Sequence, residues 1–221
     1  MTSPDARQSA GSVLLIPIGS TEQHGPHLPL TTDSDIAVAL ADRVASRARN
    51  VVVAPVLNYG ASGEHAGFPG TLSIGNIVTE LVLIELARSA AATWNRILLI
   101  STHGGNDVPV RHAVEKLHSE GRDVQAWFPS WPGDAHAGHT ETSMMLYLAS
   151  DRVDRTAAAA GSRAPLEEIM NAMRTGGIGA VSPNGVLGDP EGADPIRGRE
   201  LLQAATEELV RLVTAWPGQK R

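Results

Sequence analysis

The sequence predicts an α/β protein whose mostly parallel sheet is covered by helices on both faces. Three observations carry that reading. Strand-like apolar runs alternate with segments of helical periodicity. Most of those runs are apolar throughout, as strands buried on both faces are. Residues able to carry chemistry gather where the runs end, the edge at which parallel sheets bind ligands.

Residues 12–20, SVLLIPIGS, read as the first buried strand. Residues 34–49 follow as a helix, with Ile36, Leu40 and Val44 at helical spacing and Asn50 able to close it. Residues 51–57, VVVAPVL, are again strand-like, and a Gly- and Ser-rich loop runs on to about residue 75. A helix is expected over 76–94, with Ile77, Leu81, Ile84 and Leu86 among its apolar positions. Residues 96–102, RILLIST, are the clearest buried strand and lead directly into HGGN. A helix over 108–120 closes at Gly121; 124–130 is a further strand, WPGDAHAGH a loop, and 140–150 a helix. Residues 151–193 give no legible pattern beyond a surface helix at 165–174. An amphipathic helix over 195–216 carries Leu201, Leu202, Leu209 and Leu212. No repeat, linker or low-complexity tract divides the chain. One domain over 1–221 is expected, with 1–11 a flexible N-terminal segment.

Composition narrows the function. A chain of 221 residues with 42% hydrophobic content can bury a sizeable core. A net charge of -6 argues against nucleic acid and anionic membranes as partners. With no Cys there is no disulfide, thiolate ligand or Cys nucleophile. The N-terminus is polar, and no apolar stretch approaches the roughly 18–20 residues of a membrane span. A soluble cytoplasmic protein is expected.

Six of the eight histidines (His24, His27, His65, His103, His136 and His139) sit in Gly- and Pro-rich loops, where function concentrates. His112 and His118 lie six apart in a helix, the wrong spacing for a helical metal pair, and read as solvent-facing. In an extended segment, Glu22 and His24 point to one side. Asp33, eleven residues after Glu22, reads as a helix N-cap, as a metal ligand, or as both. Asp35 suits the helix dipole. His103 opens HGGN, where the glycines permit close backbone approach and Asn106 can cap the next helix; taken alone, it reads more as a hydrogen-bonded structural residue than as a ligand. In HAGHTETS, residues 136–143, Glu141 can be a dipole partner or a ligand, and His136 suits proton transfer. Together these are ligand types for two divalent ions of the Zn, Mn or Fe(II) kind, able to hold a hydroxide and polarise an amide carbonyl. Trp127 and Phe128 read as core; Trp131, in a loop, is the candidate to touch substrate. Nothing supports a serine elbow, a dinucleotide fingerprint, a Walker sequence or H-E-x-x-H.

The segments IPIGSTEQHGPHLPLTTD, GEHAGFPGT, STHGGN, HAGHTETSMML and GVLGDP resemble the creatininase family, over about residues 13 to 210. That resemblance implies a three-layer α/β/α sandwich, two divalent metal ions per subunit, hydrolysis of cyclic or linear amides, and a homo-oligomer, often a hexamer. By position it implies Glu22, His24, Asp33 and His103 as metal ligands with Asp33 bridging, and His136 as the acid/base. Gly105 departs from creatininase itself, which carries Glu there, so Glu141 becomes the candidate for the remaining carboxylate. Glu22 counts among the catalytic residues, and His65 with Trp131 among those facing substrate. The short chain and HAGHTETS are similar to a peptidase subgroup acting in mycofactocin maturation. That subgroup cleaves a modified precursor peptide near its C-terminus and releases a cross-linked Val-Tyr unit. The competing expectations are a small-molecule cyclic amidohydrolase or deformylase at the same centre, and a metal-free α/β binding protein.

Overall fold

The structure is a computed structural model that describes residues 2–217. Strand β1 (Val13–Ile18) lies between β2 (Val51–Val53) and β3 (Arg96–Ser101), and β4 (Asp123–Trp127) lies outside β3. All three pairings are parallel, with Val13 opposite both Val51 and Arg96, and Arg96 opposite Asp123. The strand order β2-β1-β3-β4 changes direction between β1 and β3, which opens a crevice outside their carboxyl ends.

Every residue of β1 is buried, and the two-residue repeat sorts them between two cores. Val13 and Leu15 meet Ile36, Leu40 and Val44 of α2 (Thr32–Arg47), Met144 and Met145 of α5 (His139–Leu148), and Leu202 and Leu209 of α7 (Pro195–Ala215). Leu14, Ile16 and Ile18 meet Leu83 and Ile84 of α3 (Gly75–Ala90) and Val110 and Leu117 of α4 (Asp107–Ser119). These are the three α/β/α layers. Each such large side chain contributes about 1.5–3 kcal/mol by leaving water, so the sheet is a rigid base for the loops at its edge.

The departures from expectation are local. Regular pairing of β2 stops at Val53, although Ala54 and Leu57 still donate to Leu15 and Pro17 of β1. Pro55 has no N–H to continue the ladder. Helix α2 begins at Thr32, so Asp33 lies inside the first turn rather than at the N-cap. Asn106 occupies the cap position of α4 but makes no capping bond. Residues Ser3–Gln8, within the segment expected to be flexible, form a short helix, α1. The helix expected at 165–174 is α6 (Leu166–Gly176). Among the described residues, no helix is long and apolar enough to cross a membrane.

Candidate metal centre

The crevice collects the residues singled out by sequence. Past the end of β1 the chain delivers Glu22 and His24, both fully buried. The start of α2 is tied back to it, because Ser34 Oγ donates to the Ser20 carbonyl and Ser20 Oγ donates to Asp33 Oδ2 at 2.6 Å. The Thr102 hydroxyl, past the end of β3, donates to the Asp33 carbonyl, which fixes His103 beside it. A tight turn at 63–65 brings in His65. His136 is held by backbone pairing with Leu187, and Glu141 lies in the first turn of α5.

Three interlocking donor groups result: Glu22, Asp33 and His103; His24, His136 and Glu141; and Glu22, His65 and His136. Within each group the ligand atoms lie within 4.8 Å of one another. Asp33 Oδ2 stands between two imidazoles, 3.6 Å from His24 Nε2 and 3.4 Å from His103 Nδ1. Glu141 Oε2 is 3.9 Å from His24 Nε2. Glu22 Oε1 and Oε2 lie 3.0 Å from His65 Nε2 and 3.1 Å from His103 Nε2. Neither approach has hydrogen-bond alignment, so both Glu22 oxygens, and His24 Nε2, are buried without a hydrogen-bond partner. Buried polar atoms left this way cost free energy unless something else answers them. A divalent cation would do so, and carboxylate and imidazole donors fit Zn, Mn or Fe(II).

Electrostatics agree. Burial disfavours protonation of His24, but Asp33, with Glu141 and Glu22, outweighs it and lifts the ring to about 10. Burial likewise opposes protonation of His103, yet Glu22 and then Asp33 and Glu64 raise it to about 10. Burial would raise Asp33, but His24 and His103 bring it below its usual range. Glu22 is lowered in the same way, burial being overcome by His103. Burial dominates at Glu141, which is pushed up to about 7 despite His24. It also dominates at His65, lowered to about 3, and at His136, held well below its ordinary value with help from His24. The centre therefore draws positive charge while His65 and His136 stay neutral.

Gln23 orders those two neutral rings. Its Oε1 accepts from Gly25 N–H, and its Nε2 donates to the Gly185 carbonyl and to His65 Nδ1 at 2.8 Å. His65 then carries its proton on Nε2, facing Glu22. His136 Nε2 donates to the Gln23 carbonyl at 2.9 Å, which turns the Nδ1 lone pair toward Glu22 Oε1, 3.9 Å away.

Several partners escaped the sequence reading. Gln23 lies between two ligand-type residues, where alternation along an extended segment points it away from them. Glu64 is largely buried, with Oε1 3.6 Å from His103 Nε2 and 4.0 Å from His65 Nε2. Gly105 makes room for it: a Cβ there would collide with Glu64 Oε1, the Ala61 carbonyl and His103 Nε2. Asn106 accepts from Ala61 N–H and donates to the Gly19 carbonyl, so it ties loops together instead of capping α4. Glu141 plays the local role as well, since its Oε2 accepts from Ala137 N–H at 2.6 Å. His27 is buried behind His24 and bonds Thr142, while His139 reaches the Gly192 carbonyl. Exposed His112 faces Glu80, and His118 Nε2 donates to the Val124 carbonyl.

Two cavities meet at the centre and share His103, Gly104, Ala135 and His136. One, of about 270 Å³, is lined by Trp131, Phe128, Asp33 and Glu141. The other, of about 360 Å³, is walled by Leu166, Met170 and Met173 of α6 and reaches Glu64 and His65. Trp131 thus stands at the cavity beside the cluster, edge-on to Trp127 at 6.4 Å.

A family model described as "Creatininase: Creatinine amidohydrolase" matches residues 1–213. The chain is similar to the "Mycofactocin precursor peptide peptidase" of Mycolicibacterium smegmatis, 47% identical over 211 residues, covering 92% of this chain and 85% of that protein. It is similar at a greater distance to the "Creatinine amidohydrolase" of Pseudomonas putida, 32% identical over 186 residues, covering 68% and 70%. Among solved structures, one described as "Creatininase Mn" superposes with a TM-score of 0.83 at 22% identity, covering 96% of this chain and 95% of that one.

Proposed function

The chain belongs to the creatininase family, and from that premise we propose that its buried cluster is a two-metal centre that hydrolyses an amide bond of a modified peptide. The chain is a hydrolase of carbon-nitrogen bonds. Supporting a peptide substrate, the peptidase relative is more similar, at 47% identity over most of both chains, than the creatinine hydrolase at 32%. The observation that carries the metal reading is the set of orphaned buried ligand atoms on Glu22 and His24.

In this reading Glu22, Asp33 and His103 would hold one ion, and His24, Asp33 and Glu141 would hold the other. When bound, such ions supply an activated water and polarise the amide carbonyl. Asp33, with Oδ2 3.6 Å from His24 Nε2 and 3.4 Å from His103 Nδ1, would serve both ions. His136 receives a proton on Nδ1 and passes it to the leaving nitrogen. Burial keeps that ring neutral at pH 7, ready to accept one. Glu22, a catalytic carboxylate in this reading, faces His65 and His103 at 3.0 and 3.1 Å. His65 and Trp131 face substrate from opposite cavities. A single domain over 1–221 is part of this reading, supported by the joining of all the described strands in one sheet. The reading includes self-association, which the exposed apolar Ile77, Val78 and Leu81 on α3 support, and a cytoplasmic location.

The deciding experiment offers the enzyme, supplied with zinc, manganese or iron(II), a modified precursor peptide and, separately, creatinine. Release of a C-terminal unit from the peptide, with creatinine turned over far more slowly, is expected. Preferential turnover of creatinine would replace the peptidase reading with that of a cyclic amidohydrolase.

A further inference from the structure

Helix α6 has a sharp apolar stripe with no core against it. Leu166, Ile169, Met170 and Met173 recur at helical spacing, Glu167, Glu168 and Asn171 lie opposite, and Arg174 borders the stripe. Yet no residue of α6 is buried. A surface helix this amphipathic ordinarily sinks its stripe into the fold. Here Leu166, Met170 and Met173 wall a cavity of about 360 Å³ that ends on His65, His103 and His136. The carboxyl end of the helix packs closely on the loop that carries His65. Gly177, at φ 70°, sits so close to the Glu64 carbonyl that a Cβ would lie 2.8 Å from it.

We propose that α6 walls a subsite for a bulky apolar or aromatic side chain of the peptide, next to the amide cleaved at the centre. The proposal rests on the amide-hydrolase reading and names what that site selects. The volume falls within the roughly 300–1,000 Å³ of small-ligand sites. Methionines give a wall that adapts to an irregular ring. Arg174 lines the same cavity and, among the described residues, pairs with no carboxylate, leaving its guanidinium to lie on an aromatic face or donate to a carbonyl. Because this cavity and the Trp131 cavity share His103 and His136, a linear amide can extend to both sides of the reacting bond. A small cyclic amide would leave the α6 stripe uncovered.

The test is calorimetric binding of N-acetyl-tyrosinamide and N-acetyl-alaninamide to the metal-supplied protein, in wild type, Met170→Lys and Met173→Ala. The wild type should favour the tyrosine compound by roughly tenfold or more, as burial of a ring implies. Met170→Lys should erase that preference and Met173→Ala reduce it, with metal content unchanged. Equal binding of the two compounds, or a preference that survives Met170→Lys, overturns the proposal. Selective binding without cleavage of any peptide amide would keep the subsite and sink the reading of the cluster as a peptide-cleaving centre.

Discussion

Replacing Glu22 with Gln keeps the shape of a fully buried side chain and removes one charge. Its carboxylate lies 3.1 Å from His103 Nε2. At an effective dielectric of about 20, two unit charges at that separation attract by roughly 5 kcal/mol. Taking the carboxylate out of water costs several kcal/mol, which the amide no longer incurs. For a protonated imidazole the two nearly cancel, so the metal-free Glu22→Gln protein should fold and melt within a few degrees of wild type. For a divalent ion the attraction doubles against the same relief. A net loss of at least about 3 kcal/mol remains, on the order of a hundredfold or more in metal affinity. The assay is competition against a chelator of known affinity, followed by elemental analysis and a thermal melt. Unchanged affinity for two ions would refute the assignment of Glu22, and a collapsed melting temperature would make it structural instead.

Three further outcomes follow from the geometry. His136→Gln should lower kcat by roughly 10²–10⁴ while leaving bound metal unchanged; loss of metal instead would make His136 a ligand. Gly105→Ala should cost about 1–3 kcal/mol in a denaturant titration and weaken metal retention, because the new Cβ drives into Glu64, the Ala61 carbonyl and His103; wild-type stability and metal binding would show that this close packing is idle. The third concerns pH. His24 and His103 are raised from 6.5 to about 10, so the folded metal-free protein keeps protons that the unfolded chain has released. Their contribution is fully present below pH 6.5 and is lost as pH rises through about 10. Melting temperatures of metal-free protein should fall across that range, and zinc should remove most of the fall; a flat metal-free profile would contradict the carboxylate field around these rings.

The sheet was legible because β1 and β3 are buried on both faces, leaving runs such as VLLIPI and RILLIS with no alternation to confuse. The end of β2 was not, because Pro55 breaks the ladder within VVVAPVL, a run apolar to its end. Asp33 was legible as a residue of consequence and not as to its place. Sequence put it at a cap, whereas Thr32 already starts the helix and frees the carboxylate for the centre. Glu64 and Gln23 were hidden for a different reason. Neither has a local pattern, and both acquire their partners only when the turn at 63–65 and the Gly185 loop close over the edge of the sheet. For the same reason α6 read as a plain surface helix, since the cavity under its apolar stripe is built by loops distant in sequence.

If the cluster works as proposed, catalysis needs two ions on it. Metal-free protein should be titrated with zinc, manganese or iron(II) while cleavage of the modified peptide is followed. Negligible activity is expected without metal, with a rise that breaks at about two equivalents per chain. Full activity without metal, or a break at about one equivalent, would contradict it.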